Sequence, residues 1–136
     1  MNNEPYQKIE LTSPFANLLG IECINTSDGR AEITLYPQEN HKNMWHVVHG
    51  GVLLTMLDVG MSMAARSKIS DEQGVLTINL TSNFIDTAEG KCIKVCASTI
   101  KMTATMAFVE AKLYSDSRLC ATGSATFKIF KRRVIS

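Results

Sequence analysis

The densest apolar block of the chain runs over residues 50–66. There Val52, Leu53, Leu54, Met56, Leu57, Val59, Met61, Met63, Ala64 and Ala65 suit a helix and leave no polar face. A helix apolar all round must be buried all round. In a chain of this length that requires a sheet wrapped around it, with a second subunit as one way to close the remaining side. The second half supplies the sheet: residues 74–85, 91–102, 105–114 and 119–130 are strand-length and rich in Val, Ile, Thr and Phe. The links between them are short, at 87–90, 102–103 and 115–117, which predicts antiparallel neighbours. Ala121, Gly123 and Ala125 fall on one face of the last strand, small enough to let a helix approach. Ahead of the long helix, Ser13-Pro14 predicts the capped start of a short helix closed by Gly20. Residues 21–25 and 31–36 read as two strands joined through Ser27-Asp28-Gly29, and 37–48 as a polar loop carrying Asn40, His41, Asn43 and His46. The predicted fold class is α+β: an antiparallel sheet curled around a long central buried helix.

Length and composition change this picture little. One hundred and thirty-six residues suit one domain spanning 1–136, and 45% hydrophobic against 20% charged residues argues against disorder. A net charge of +1 gives no basic excess for a nucleic-acid partner. The start, residues 1–5, is polar and lacks the order of a secretion signal, and His46, His49 and Asp58 interrupt the apolar stretch 45–65. A cytoplasmic protein with no membrane partner is therefore expected. Cys23, Cys92, Cys96 and Cys120 are scattered without a Cys-x-x-Cys pair, and four buried reduced thiols are expected.

Candidate chemistry starts at Asp58, the one charged residue between Gly50 and Ala65. A carboxylate buried without partners costs several kcal/mol, so this one either caps a neighbouring loop, faces a wet crevice, or is placed to act on a ligand. His49-Gly50-Gly51 stands where the helix begins. Its glycines admit a close neighbour, and the N–H groups of a helix start carry partial positive charge suited to an oxyanion or a polarised carbonyl. The same three residues also suit a plain loop-to-helix turn. Asn43 offers a further donor. His46 and His49 lack a carboxylate or cysteine at ligand spacing, so no metal is expected. On the following strand Thr77, Asn79, Thr81 and Asn83 are expected to share one uncharged polar face, a groove, a subunit contact or a plain edge, with Ile78, Leu80 and Phe84 on the other.

Spacing constrains any joint role. Gly50 and Asp58 lie ~12 Å apart along one helix, whereas an oxyanion donor and a base or nucleophile must reach one carbonyl group together. If both act, they come from two subunits.

The run Ser13-Pro14-Phe15, Leu18-Leu19-Gly20-Ile21, then Asn43, His49-Gly50-Gly51, Asp58, Thr77 and Asn83-Phe84 resembles the hotdog-fold acyl-CoA thioesterases, in their PaaI-like branch, over about residues 13–130. The resemblance implies a hotdog fold and hydrolysis of an acyl-CoA to acid and thiol. Asn43 and the Gly50 N–H would polarise the thioester carbonyl. Asp58 of a partner subunit would activate water or attack directly, with Thr77 placing the water and His49 orienting the Asn43 loop. Gly51, Asn83 and Trp45 would line the substrate site, Trp45 restricting the acyl pocket. The resemblance further implies no cofactor beyond coenzyme A as part of the substrate, and a homodimer paired into a homotetramer. Relatives often carry a basic residue and proline after the Asn-Phe pair, where this chain has Ile85-Asp86-Thr87. The job of that cation would pass to Arg66, Lys91 or Lys101. A non-catalytic acyl-CoA sensor and a hotdog hydratase or dehydratase are the other readings of such a fold. The first lacks a reason for the full set of polar residues, the second a helix histidine beside Asp58.

Overall fold

A computed structural model describes residues 13–132; the polar start at 1–5 lies outside them. The elements are α1 (Pro14–Leu19), β1 (Glu22–Ser27), β2 (Arg30–Leu35), α2 (Gly50–Arg66), β3 (Gln73–Phe84), β4 (Ile93–Met102), β5 (Met106–Ser115) and β6 (Arg118–Lys131). The expected boundaries hold to within two residues, and those of α2 match at both ends. Local chemistry explains the agreement. Ser13 Oγ accepts from the Ala16 N–H at 3.3 Å, and Gly20 takes the left-handed conformation that ends α1. Between β1 and β2, Asp28 and Gly29 both have positive φ, as the favoured two-residue hairpin turns require.

All six strands form one antiparallel sheet in the order β1-β2-β4-β5-β6-β3. Its concave face packs on α2 through Ile33, Leu35, Val95, Val109, Leu113 and Phe127, all buried. Two close approaches make the wrap possible. Gly123 lies against Leu57 and Met61, where an added Cβ would sit 3.3 Å from the Met61 methyl. A Cβ on Gly60 would come within 2.7 Å of Val95 Cγ1. The far end of α2 is tied down as well: Ser67 Oγ donates to the Ala64 carbonyl and accepts from the Gly29 N–H, each at 2.7 Å.

Three expectations need correction. The link after β3 does not join neighbours: β3 lies at the sheet's end beside β6, and the β5–β6 hairpin stands between it and β4. Residues 85–92 can span roughly 26 Å extended, ample for the three strand spacings of about 14 Å that separate the two strands. The link is pinned on the way, with the Ile85 and Asp86 N–H groups donating to the Cys120 carbonyl and those of Lys91 and Cys92 to Asp116 Oδ1. Second, α2 is not buried all round. Leu53, Met56, Leu57, Gly60, Met61 and Ala64 face the sheet, while Gly51, Leu54, Thr55, Asp58, Ser62 and Arg66 form a partly open stripe. Third, the thiols differ. Cys23 and Cys120 are buried, Cys92 is half-buried and Cys96 is exposed; all four are free. Burial pushes the Cys23 thiol up, and partial desolvation with the Glu32 carboxylate nearby does the same to Cys96. Among the described residues no helix is long and apolar enough to cross a membrane.

The Gly60 contact yields a stability test. Gly60→Ala gains up to about 1 kcal/mol in helix propensity, but a methyl forced against a stiff valine costs about 1–3 kcal/mol. The variant should unfold at lower urea concentration with an unchanged slope of free energy against denaturant.

Candidate functional site

Asp58 projects from the open stripe of α2 toward β3. There Thr77 Oγ1 donates a 2.7 Å hydrogen bond to Asp58 Oδ1. The carboxylate is half-buried, not sealed in the core, so its second oxygen remains available. Thr77 reaches it because of an irregularity in β3. Thr77 pairs with Phe127 and Asn79 with Thr126, leaving Ile78 as a bulge. One extra residue reverses the alternation of side chains. Thr77 therefore shares the helix-facing side with Leu80, Ser82 and Phe84, while Asn79, Thr81 and Asn83 turn to the outer face. The expectation that Thr77, Asn79, Thr81 and Asn83 share a face is thus corrected, and Asn83 is not brought together with Asp58 within one protomer. Asn83 instead lines an outer cavity of about 580 Å³ with Thr81, Thr122 and Ser124.

The start of α2 is built by its preceding loop. His49 caps the helix, its Nδ1 accepting from the Gly51 N–H at 2.8 Å. An added Cβ on Gly51 would lie 3.0 Å from that nitrogen, a tight contact that a larger residue would relieve only by shifting the His49 ring. The Val52 and Leu53 N–H groups donate to the His49 carbonyl. The Gly50 N–H has no acceptor among the described residues, and a Cβ added at Gly50 would lie 4.0 Å from the exposed Phe84 ring. Asn43 Oδ1 accepts from the Trp45 N–H at 2.9 Å and the Val47 N–H at 3.4 Å, closing the loop 43–47. That anchors the amide by its oxygen and leaves Nδ2 as a donor without a partner among the described residues. Trp45, at the tip of this loop, is 73% exposed.

Two backbone bonds hold the loop in register with the helix. The Val48 N–H donates to the Ala88 carbonyl at 3.0 Å, and the His49 N–H to the His41 carbonyl at 2.9 Å. His41 is buried, its Nδ1 accepting from the Gln38 N–H at 2.8 Å and its Nε2 lying 2.7 Å from the Leu19 carbonyl. With Nδ1 as acceptor, Nε2 carries the proton and donates. His41 thus joins the end of α1 to the loop that positions Gly50. Sequence reading placed it in the loop without a role; among three nearby histidines, only burial distinguishes it. Phe84 was likewise missed as a neighbour of Gly50, since only the fold brings them together. Among the described residues no group of three His, Cys, Asp or Glu side chains is placed to hold a metal.

Within one protomer, then, Asp58 and Thr77 meet at the middle of α2, two turns from the cap formed by His49, Gly50 and Gly51, while Asn43 holds the loop that leads into that cap. The arrangement offers polarising donors at one point and an accessible, hydroxyl-steadied carboxylate at another.

A sequence model of the thioesterase superfamily matches residues 46–122, which include Gly50, Asp58 and Thr77. The Pseudomonas aeruginosa protein named "Putative esterase PA0474" is 31% identical over 128 residues, covering 93% of this chain and 96% of its own. Among solved structures, a thioesterase family protein of Silicibacter pomeroyi is 27% identical with a TM-score of 0.85, over 88% of this chain and 91% of that one. The BH2602 protein of Bacillus halodurans, crystallised with CoA, is 28% identical with a TM-score of 0.82, over 90% and 82%.

The two histidines at this site differ in expected cost. His41→Ala leaves the Gln38 N–H and the Leu19 carbonyl without partners, at about 1–3 kcal/mol for each group that stays buried. His49→Ala removes an exposed cap worth about 1 kcal/mol. Thermal unfolding should show His41→Ala well below His49→Ala, and His49→Ala only slightly below the parent.

Proposed function

Because the chain belongs to the thioesterase superfamily, with the hotdog architecture of a sheet wrapped on one long helix, we propose that it hydrolyses an acyl-CoA thioester at a site shared by two copies of itself. The observation that carries the reading is the Asp58–Thr77 hydrogen bond on the open face of α2, with the unpartnered Gly50 N–H ~12 Å away on the same helix. Neither half suffices alone, because donor and carboxylate must meet at one carbonyl group. A two-fold axis near Leu54 would set the helices of two copies antiparallel and place Gly50 of each beside the carboxylate of the other. Leu54 is 40% exposed on that stripe, and β3 is an edge strand with Leu76, Ile78 and Phe84 exposed. An apolar edge of this kind suits pairing with a second copy. Two such dimers would assemble into a tetramer through the polar outer face of the sheet.

In the proposed reaction the thioester carbonyl oxygen accepts from the Gly50 N–H and from Asn43 Nδ2. The carboxylate from the other copy, oriented by Thr77 Oγ1, takes a proton from water as the water attacks the carbonyl carbon. The carbon–sulfur bond then breaks, and the same proton passes to the departing thiolate. In a direct attack, Asp58 would expel the thiolate, which takes a proton from solvent, and form a mixed anhydride; water would then open it, releasing the acid and restoring the carboxylate. His49 keeps the oxyanion turn in shape through its bond to Gly51, and Trp45 bounds the acyl pocket. The CoA seen with the Bacillus halodurans protein supports coenzyme A as the thiol carrier.

Two variants test the site. Asp58→Asn should retain the fold and lose at least about 10²-fold in kcat. Gly50→Pro removes only the proposed donor: proline is favoured at the first helical position, and His49 already holds the extended conformation that precedes proline. It should cost about 10²–10³-fold. Mixed and reassembled, the two inactive proteins should recover about a quarter of wild-type activity, since half the dimers are mixed and each mixed dimer holds one intact site. Free-thiol release from acyl-CoAs is the readout. Undiminished activity in Asp58→Asn, or no recovery on mixing, contradicts the shared site.

A further inference from the structure

The link between β3 and β4, residues 85–92, is held at both ends by residues at and beside the β5–β6 turn. At its start the Cys120 carbonyl accepts from the Ile85 and Asp86 N–H groups. At its end Ser115 Oγ accepts from the Gly90 N–H, and Asp116 Oδ1 from those of Lys91 and Cys92. Between these anchors, two successive carbonyls bind different parts of the chain. The Thr87 carbonyl accepts from Arg118 Nη2 at 2.8 Å, with the Cys120 thiol at 3.4 Å. The Ala88 carbonyl accepts from the Val48 N–H at 3.0 Å. Val48 stands two residues before Gly50, whose N–H is the proposed oxyanion donor.

Arg118 grips the link with one edge of its guanidinium. While Nη2 bonds the Thr87 carbonyl, Nε lies 3.4 Å from Asp86 Oδ2. Asp86 Oδ1 in turn accepts from the Thr87 N–H at 2.8 Å. A planar fork that meets a carboxylate and the next residue's carbonyl together fixes the orientation of the peptide between them, which a point charge on a flexible stem does not. Ala88 and Val48 are both buried, and a packed interior passes a small displacement on instead of absorbing it. The Arg118 side chain itself is 53% exposed. Exposed ion pairs contribute little to global stability, so this contact governs where the link sits more than whether the protein folds.

We infer that Arg118 is a positioning residue for the oxyanion donor. It sets the Asp86–Thr87 peptide, and through the Ala88 carbonyl and the Val48 N–H it sets the start of α2, without touching substrate. The inference rests on the proposed thioesterase reading and extends it to a residue outside the site. Donors to an oxyanion act only when held in place beforehand, and a misplacement of about 1 Å can cost about 10²-fold in rate.

The test compares the full-length parent with Arg118→Ala and Arg118→Lys in two measurements. One is free-thiol release from acetyl-, hexanoyl-, palmitoyl- and phenylacetyl-CoA; the other is hydrogen exchange at the Val48 amide. Arg118→Ala should lower kcat by about ten- to a hundredfold and leave KM within about twofold, because the displaced donor acts on the transition state. The Val48 amide should exchange faster while the amides of the β5–β6 ladder keep their protection. Arg118→Lys should recover only part of the loss, since it lacks the fork. Millimolar guanidinium chloride, against sodium chloride of equal ionic strength, should restore part of both readouts in Arg118→Ala, because the vacated place is open to solvent. Unchanged kcat, or unchanged exchange at Val48, overturns the inference. A raised KM with kcat intact also does, since Arg118 would then bind substrate. So does faster exchange throughout the sheet, which would mean that the arginine only supports the fold. Should the parent hydrolyse none of the four esters, the thioesterase reading itself fails and exchange alone judges Arg118. Faster exchange confined to Val48 and its link, reversed by guanidinium, then supports the positioning role; unchanged or general exchange overturns it.

Discussion

A six-stranded sheet can close around α2 only where side chains press onto bare backbone, and Gly60 and Gly123 provide that backbone for Val95, Met61 and Leu57. Larger residues at either place would hold the helix off the sheet and open voids around Met56, Leu57 and Met61, all fully buried. Once that contact is made, the remaining geometry follows. The sheet ends at β3 before it has encircled the helix, so one stripe of α2 stays open along the β3 edge. Every polar residue of the helix between Gly51 and Arg66 lies on that stripe. Burial of one face thus selects where chemistry can occur on the other.

The segment ahead of α2 has only a 3-10 turn at Glu39–His41 and a single bridge between Lys42 and Val48, and gains most of its order from individual hydrogen bonds. His41 answers two main-chain groups with its ring and one with its own carbonyl, and Ala88 holds Val48 from the β3–β4 link. Asn43 is anchored through its oxygen by the loop it closes. Electrostatic stabilisation of a developing oxyanion depends on donors held in place before the charge appears. A loop pinned at four points meets that condition better than its scant secondary structure suggests. The free Gly50 N–H is a consequence of the same arrangement, because the cap nitrogen of His49 is already taken by Gly51.

Charge is distributed along α2 with a direction. The helix starts at an unpartnered N–H, carries one carboxylate at its middle steadied by a hydroxyl, and ends at an arginine without a carboxylate partner among the described residues. Lys94, by contrast, is paired with Glu32, whose bond holds the lysine's proton and raises its pKa. A groove that keeps its charges unpaired has desolvated little and retains its attraction for a charged ligand.

Much of this protein is legible in the chain itself, because much of it is local. Ser13-Pro14 and Gly20 mark α1, Asp28-Gly29 marks the hairpin, and the apolar density of 50–66 marks α2 with both ends correct, since capping, turn conformation and periodicity act within a few residues. The singular charge of Asp58 and the glycines after His49 are equally visible, and the helical rise alone separates Gly50 from Asp58. What the chain could not disclose depends on pairing at a distance. The bulge at Ile78 exists only in register with β6, and it turns Thr77 toward Asp58 and Asn83 away. The placing of β3 beside β6 instead of β4 is a competition among strands that link lengths do not decide. Thr55, Asp58, Ser62 and Arg66 become a stripe only when the sheet defines which side of the helix is open. Arg66 and Arg132 line one cavity from distant parts of the chain for the same reason: burial and strand register are properties of the whole sheet, and no window of sequence contains them.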